Sequence, residues 1–406
     1  MLTKSRPSKK DEEPSSDEDI DGADNKSEKT PYALQRPANT ALRQQRLKAW
    51  HPLLTHNTVL PLLAIFGVLF AILGGVMYWS VLLVNELTID YTDCKNLAPG
   101  QFSPVPSDKY NYRFHSLDSS RFEPPVYRSE PNTAMVGQNP PAYICTVQLS
   151  IPNELSGGVF LYYKLTNYYQ NHRRYIKNID YDQMLSKPRS PKDLQDNQCK
   201  PLGRDPDSGK SIYPCGLIAN SVFNDTFSSP QLLETNGQRT EYAMVDRNIV
   251  WHDEAKHYKT PDYNVSDIVP PPFWRGAKGP FGYGDTYEEG KIFDPTQNEH
   301  FQVWMRTASF PTFRKLYQRN DDLPMAPGRY EIVIGDNYPV SMFDGTKSFV
   351  ISTSGWVGGR NLELGTMHIA VAALCILCVL LLAIVQLVNP RRPGDVRFLS
   401  WNHPSK

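Results

Sequence analysis

The sequence predicts a membrane protein with two transmembrane helices and a large, mainly antiparallel β ectodomain, sandwich or jelly-roll-like, that carries a few short helices. Three observations predict it. Two uncharged apolar runs, Val59 to Val84 and Leu364 to Val388, sit near opposite ends of the chain; about 280 polar, Pro-rich residues separate them; and four of the six cysteines fall in that interval.

Residues 1–50 form the first segment. Up to about residue 40 it is rich in Ser, Asp, Glu, Lys and Pro and poor in large apolar groups. Such a tail buries too little surface to offset its ordering entropy and is expected to be disordered. Ser15 and Ser16 precede Asp17, Glu18 and Asp19, a context for acidophilic kinases or simply a solvated charge run. Closer to the membrane, Leu42, Leu47 and Trp50 are interleaved with Arg43, Arg46 and Lys48, which suits lipid headgroups or a partner's cytosolic face.

The run 59–84 is long enough to cross the roughly 30 Å hydrocarbon core. It starts too late and runs too long for a cleaved signal peptide, and Tyr78-Trp79-Ser80 offers no small-residue cleavage site, so it reads as a retained anchor. The run 364–388 is its counterpart. Arg43, Arg46 and Lys48 precede the first run and Arg391, Arg392 and Arg397 follow the second, whereas Glu86, Asp90 and Asp93 lie between them. By the positive-inside rule both termini, including the tail 389–406, are cytosolic and 86–363 is lumenal or extracellular.

Cysteine usage agrees with that orientation, since disulfides persist in oxidising compartments. Cys94, Cys145, Cys199 and Cys215 allow three connectivities, of which sequential pairing is the simplest. The sequons at Asn224 and Asn264 fall in the same interval; that at Asn25 falls on the cytosolic side and is expected to stay bare.

Within 86–363, Cys145, Val147, Leu149 and Ile151 alternate with polar residues, the signature of a half-buried strand. Val159 to Leu165, Tyr330 to Ile334 and Ser348 to Ser352 read similarly. Phe301, Trp304, Met305 and Ala308 follow helical spacing, which predicts a helix over Glu299 to Ser309. The region is large enough for one sizeable core, and runs such as Pro270 to Pro272 mark irregular connections.

Catalytic patterns are wanting. Acidic and basic residues balance at 43 each, which gives no basic excess for nucleic acid. Gly209-Lys210-Ser211 lacks the upstream glycine of a phosphate loop, and Asp344 to Lys347 reads as a turn. His252 and His257 do not have zinc spacing, and Cys375 and Cys378 lie inside the second apolar run, where they pack as small apolar groups. No metal or other cofactor is expected. Gly67, Gly74 and Gly75 permit close approach of a polytopic partner's helix to the first run, with simple anchoring as the alternative.

Four stretches are specific without being catalytic: Asn171 to Tyr175 (NHRRY), Tyr213 to Phe227 (YPCGLIANSVFNDTF), Ile268 to Trp274 (IVPPPFW) and Gly358 to Asn361 (GGRN). They resemble the cell-division-control protein fifty family, also called the transmembrane protein thirty family, and Arg43 to Trp50 and Asn264 to Trp274 look most like fungal members. The resemblance covers about Asn39 to Pro393. It implies a non-catalytic β-subunit of type IV P-type ATPases, the phospholipid flippases, needed for the ATPase's exit from the endoplasmic reticulum, its stability and its transport cycle. It implies a heterodimer with that ATPase in a membrane of phospholipids, and residence in the endoplasmic reticulum, Golgi, endosomes and plasma membrane. The four ectodomain cysteines carry over as two disulfides, and Asn224 and Asn264 as glycosylation sites. Candidate partner contacts are Arg43, Arg46, Leu47, Trp50, Arg173 and Arg174; for the last two, ion pairing within the ectodomain is the favoured reading. A receptor or adhesion ectodomain fits the bare topology, and an ectoenzyme would need a nucleophile or metal cluster that the sequence does not offer.

Overall fold

The computed structural model describes residues 40–42, 45–47, 55–115, 122–131, 143–276, 279–390 and 396, in two compact units, 1–58 and 59–406. In the first unit Arg46 N donates to Ala41 O at 2.7 Å. Leu42 and Leu47 there are exposed.

Each apolar run becomes one continuous helix of 27 residues, His56–Leu82 and Leu362–Val388, long and apolar enough to span a bilayer. The first starts three residues ahead of its apolar run because Thr58 folds back on Thr55 (Thr58 N to Thr55 O, 3.0 Å) and initiates the turn. The second starts two residues early because Asn361 caps it, accepting from Glu363 N at 3.0 Å.

The two helices run antiparallel and touch through glycine. A Cβ at Gly67 would sit 3.3 Å from Ile376 Cγ1; one at Gly74 would sit 2.8 Å from Ile369 Cγ1 and 2.9 Å from Ile369 N; one at Gly365 would sit 2.8 Å from Tyr78 N. Gly67 and Gly74, and on the other side Gly365 and Ala372, are each seven residues apart, a heptad spacing that keeps the notches on one face. Gly75 has nothing within 4 Å. Two of the three glycines open to a partner helix are thus occupied by the chain's own second span.

The ectodomain is a sandwich of two antiparallel sheets. One orders its strands β12 (Phe313–Asn320), β6 (Val159–Leu165), β14 (Lys347–Thr353), β1 (Glu86–Asp90) and β3 (Tyr110–Arg113). The other orders β10 (Arg239–Glu241), β9 (Gln231–Leu233), β13 (Gly328–Asp336), β5 (Tyr143–Ile151), β4 (Val126–Pro131) and β2 (Ser103–Pro104), with β8 (Thr226–Phe227) on β13 as well. A separate parallel pair joins β7 (Ser211–Ile212) to β11 (Ile268–Val269).

Alternation aims the apolar residues inward. In β5, Cys145, Val147 and Leu149 lie opposite Ile334, Ile332 and Tyr330 of β13 and face Leu161, Tyr163, Phe349 and Ile351 of the other sheet in one core. β14 is buried along its whole length. The topology also explains how both spans reach the sandwich side by side: three residues separate the first helix from β1, the second helix follows β14, and β1 and β14 are paired, Glu86 opposite Ser352.

Cys94, just after β1, bonds Cys145 in the opposite sheet, with Cα atoms 6.1 Å apart. Cys199 bonds Cys215 across 5.8 Å in the irregular lobe. The helix expected over 299–309 is shorter, Glu299–Met305. Buried Lys315 of β12 ends it by donating to the carbonyls of Val303 (3.0 Å), Trp304 (2.6 Å) and Arg306 (2.6 Å), which would otherwise carry the helix on.

Candidate functional site

The specific stretches converge on one lobe beside the sandwich. In Tyr213 to Phe227, Tyr213 is fully buried and Gly216 has φ +97° against Asn178 O, where no Cβ fits. The short helix Leu217–Asn220 then offers its carbonyls to two buried tryptophans: Trp304 Nε1 donates to Ile218 O and Trp274 Nε1 to Ala219 O, both at 2.9 Å. Trp274 ends the IVPPPFW stretch, and Asn220 Oδ1 takes Phe273 N at 2.9 Å. Phe223 stacks on Tyr163 of β6 with centroids 3.9 Å apart. These residues are an assembly core, which is why they read as specific without chemistry.

Where Tyr213 to Phe227 enters the second sheet, Asp225 is locked by four donors. Asn337 N and Tyr338 N reach its Oδ1 at 2.6 Å each, and Tyr91 OH (2.8 Å) and Lys347 Nζ (2.7 Å) reach its Oδ2. Lys347 also bonds Asp336 Oδ1 at 2.5 Å and Tyr338 O at 2.9 Å. Lys347 is 1 % exposed. Burial opposes its charge, yet the facing Asp225 and Asp336 carboxylates outweigh that and hold the ammonium above its usual pKa. Burial pushes the Asp336 carboxyl up, against the pull of Lys347. The cluster joins β14 of one sheet to the end of β13 in the other. Lys315 is the opposite case: its donors meet carbonyls only, so burial, reinforced by nearby Arg306, drives its pKa well below the usual lysine value.

The GGRN stretch forms the neck between spans and sandwich. Gly355 and Gly358 exchange backbone hydrogen bonds at 2.9 Å, with Gly358 at φ +110°. A Cβ on Gly359 would lie 2.5 Å from Arg314 Nη2, and Arg314 pairs with Glu86 at the foot of β1. Arg360 Nη1 donates to Val84 O at 2.8 Å, capping the chain as it leaves the first span, and Asn361 caps the second. Trp356 Nε1 bonds Ser80 Oγ. The neck fixes both helices to one sheet.

In NHRRY, three residues hold structure: Asn171 Nδ2 donates to Ser309 O (2.9 Å), His172 Nδ1 accepts from Arg174 N (3.3 Å), and Tyr175 OH meets Ser221 Oγ (2.8 Å). The side chains of Arg173 and Arg174 do not take part. Both are exposed, and among the described residues no carboxylate lies within 4.0 Å of either, so the favoured ion pairing within the ectodomain is not found. They border a cleft of about 930 Å³ together with Lys177, Lys200 and Leu217.

The remaining candidates are placed separately. Arg46 and Leu47 lie in the first unit, and Arg43, Trp50 and the Asn25 sequon fall outside the described residues. Asn264 is exposed and its side chain caps nothing; Asn224 is 8 % exposed beside the Asp225 cluster. His252 and His257 are on the surface, and Asp344 turns at φ +50°. Among the described residues no group of three His, Cys, Asp or Glu is arranged to hold a metal ion.

The model of the LEM3 (ligand-effect modulator 3) / CDC50 family matches residues 77–392, from the end of the first span through the second. The chain belongs to this family. It is similar to the phospholipid-transporting ATPase accessory subunit CDC50 of Chaetomium thermophilum, 36 % identical with 95 % of this chain and 96 % of that one covered. It is also similar to the phospholipid-transporting ATPase accessory subunit CRF1 of Saccharomyces cerevisiae (37 %, 91 % and 89 %) and to cell cycle control protein 50A of Mus musculus (34 %, 86 % and 89 %). All four specific stretches fall inside the CDC50 family match, whereas Arg43 to Trp50 precede it.

Proposed function

We propose that this CDC50-family protein is the accessory β-subunit of a phospholipid-transporting P-type ATPase, paired with the catalytic subunit as a heterodimer and contributing to its exit from the endoplasmic reticulum, its stability and its transport cycle. The observation that carries the reading is the packing of the two spans. They close on each other through Gly67, Gly74 and Gly365, and neither apolar run, 59–84 or 364–388, holds an Asp, Glu, Lys or Arg. A pair of helices in direct contact leaves no polar path for a headgroup, so translocation falls to the partner. The subunit itself is non-catalytic in this reading.

The residue pattern supports the topology: cytosolic tails 1–50 and 389–406, spans 59–84 and 364–388, and the ectodomain 86–363 in an oxidising lumen, glycosylated at Asn224 and Asn264. Arg43, Arg46, Leu47 and Trp50 meet the ATPase on the cytosolic side, and Arg173 and Arg174 act from the lumenal side. The complex works in Golgi and endosomal membranes, with the endoplasmic reticulum as its assembly site. Contact on both sides biases the partner's cycle only if the contacts differ between its states. The test is purification of the tagged full chain in mild detergent: a polytopic ATPase recovered in about equal amounts fits the proposal, and its absence counts against it.

A further inference from the structure

Net charge over the whole chain is zero, yet one cleft collects cations alone. Arg173, Arg174 and Lys177 come from the short helix Arg173–Ile176 and its C-cap, and Lys200 comes from across the cleft, beside the disulfide of Cys199; all four are exposed. No Asp or Glu lines it. Arg173 and Arg174 have no carboxylate within 4.0 Å among the described residues, and neither do Lys177 and Lys200.

The walls are built. Asn178 is buried and spans them: its Nδ2 donates to Gln198 O (2.6 Å) and Lys200 O (2.7 Å), and its Oδ1 accepts from Leu217 N (2.6 Å). The disulfide of Cys199 with Cys215 and the close contact of Gly216 with Asn178 fix the same floor. The cations are therefore carried on a rigid frame, and their mutual repulsion is not relieved by the protein's own acids.

Four positive groups around a concavity of about 930 Å³ exceed what a single carboxylate would neutralise, and two adjacent guanidinium forks match the oxygens of a tetrahedral anion. Leu217 and Pro201 give the lining an apolar part that can meet the carbon portion of an ester. We propose that this cleft is a binding site for a phosphate ester, either a phospholipid headgroup or a soluble phosphate compound of the lumen.

The full-length chain in detergent is titrated with inorganic phosphate and with glycerophosphoserine, and the chain in nanodiscs of phosphatidylcholine is compared with one in nanodiscs containing phosphatidylserine. Saturable binding of glycerophosphoserine is expected. Arg173→Gln with Arg174→Gln together weaken it by at least about tenfold, since both remove charge-assisted bonds to the anion. Lys200→Gln, on a separate segment, weakens it several-fold, while Lys192→Gln, an exposed cation outside the cleft, leaves it unchanged. Equal binding of inorganic phosphate identifies a soluble source, and a gain only in phosphatidylserine nanodiscs identifies the headgroup. Thermal melting of each variant separates lost binding from lost folding. The proposal fails if no phosphate compound binds saturably, if Lys192→Gln matches the cleft variants, or if only a glutamate-rich peptide binds, which would make the cleft a dock for an acidic loop. The titration uses the chain without its ATPase, so a negative result leaves the accessory-subunit reading untouched.

Discussion

Gly74→Ala separates a notch between the spans from mere absence of a side chain. The added Cβ would meet Ile369 Cγ1 at 2.8 Å, Ile369 N at 2.9 Å and His368 Cβ at 3.0 Å. Ile369 Cγ1 can turn away, but the backbone nitrogen cannot. Carbon contacts settle near 3.5–4.0 Å, so the helices must part by roughly 0.7 Å, and a gap of that size forfeits a quarter to a half of each contact's attraction along the seam. The expected loss is about 2 kcal/mol, within the range for overpacking a tight interface. Gly75→Ala is the control, because nothing lies within 4 Å of its added Cβ. It should be neutral or slightly stabilising, as alanine is the better helix former. The assay is thermal unfolding of the detergent-solubilised chain followed by tryptophan fluorescence, together with disulfide trapping of paired cysteines placed at Ala71 and Ala372. Gly74→Ala should lower the melting temperature and slow trapping relative to Gly75→Ala. Equal behaviour of the two variants would refute the seam.

Lys347→Met leaves Asp225 and Asp336 buried without their cation and should cost about 3–5 kcal/mol, read as loss of the folded ectodomain in limited proteolysis; Asp225→Asn keeps the Asn224 sequon and should cost less, because Asp336 still pairs with Lys347. For Lys315 the folded pKa lies well below the unfolded one, so the unfolded chain binds more protons and stability rises with pH between the folded value and about 10.4. Wild type should therefore gain on Lys315→Met as pH is raised above neutrality, and a constant difference in chemical denaturation would contradict it. Asn264→Gln should remove one glycan, seen as a single mobility step on gels, without changing the melting temperature, since the Asn264 side chain caps no helix.

Much of this architecture was legible in the sequence because it rests on local pattern. The spans declare themselves by length and lack of charge. The strands of β5, β6, β13 and β14 follow from alternation; β6 keeps its expected bounds, and the other three are extended by a residue or more where a neighbouring strand continues the ladder, as at Gly328 and Asp336 of β13. What escaped was set by distant partners. The early end of the helix after Met305 depends on Lys315 arriving from the next strand, and the Lys347 cluster joins residues 122 and 11 positions away. Lys347 sat in a segment that read only as a turn, since a lysine's burial depends on the carboxylates the fold brings to it. Arg173 and Arg174 were visible as a charged pair, but the sequence does not show that the nearby acids point elsewhere. The alternation of Leu87, Ile89 and Tyr91 directly after the first span was a usable sign of β1, the strand that ties the span to the sandwich.

The central claim is that the chain serves a phospholipid-transporting ATPase and moves no lipid alone. Translocation of fluorescent phospholipids with serine, ethanolamine or choline headgroups, measured in proteoliposomes containing this chain, its co-purified ATPase, or both, tests it most directly. The account predicts ATP-dependent translocation only when both are present, and none from this chain by itself. Translocation by this chain alone, or an ATPase indifferent to its presence in folding, yield and turnover, would contradict it.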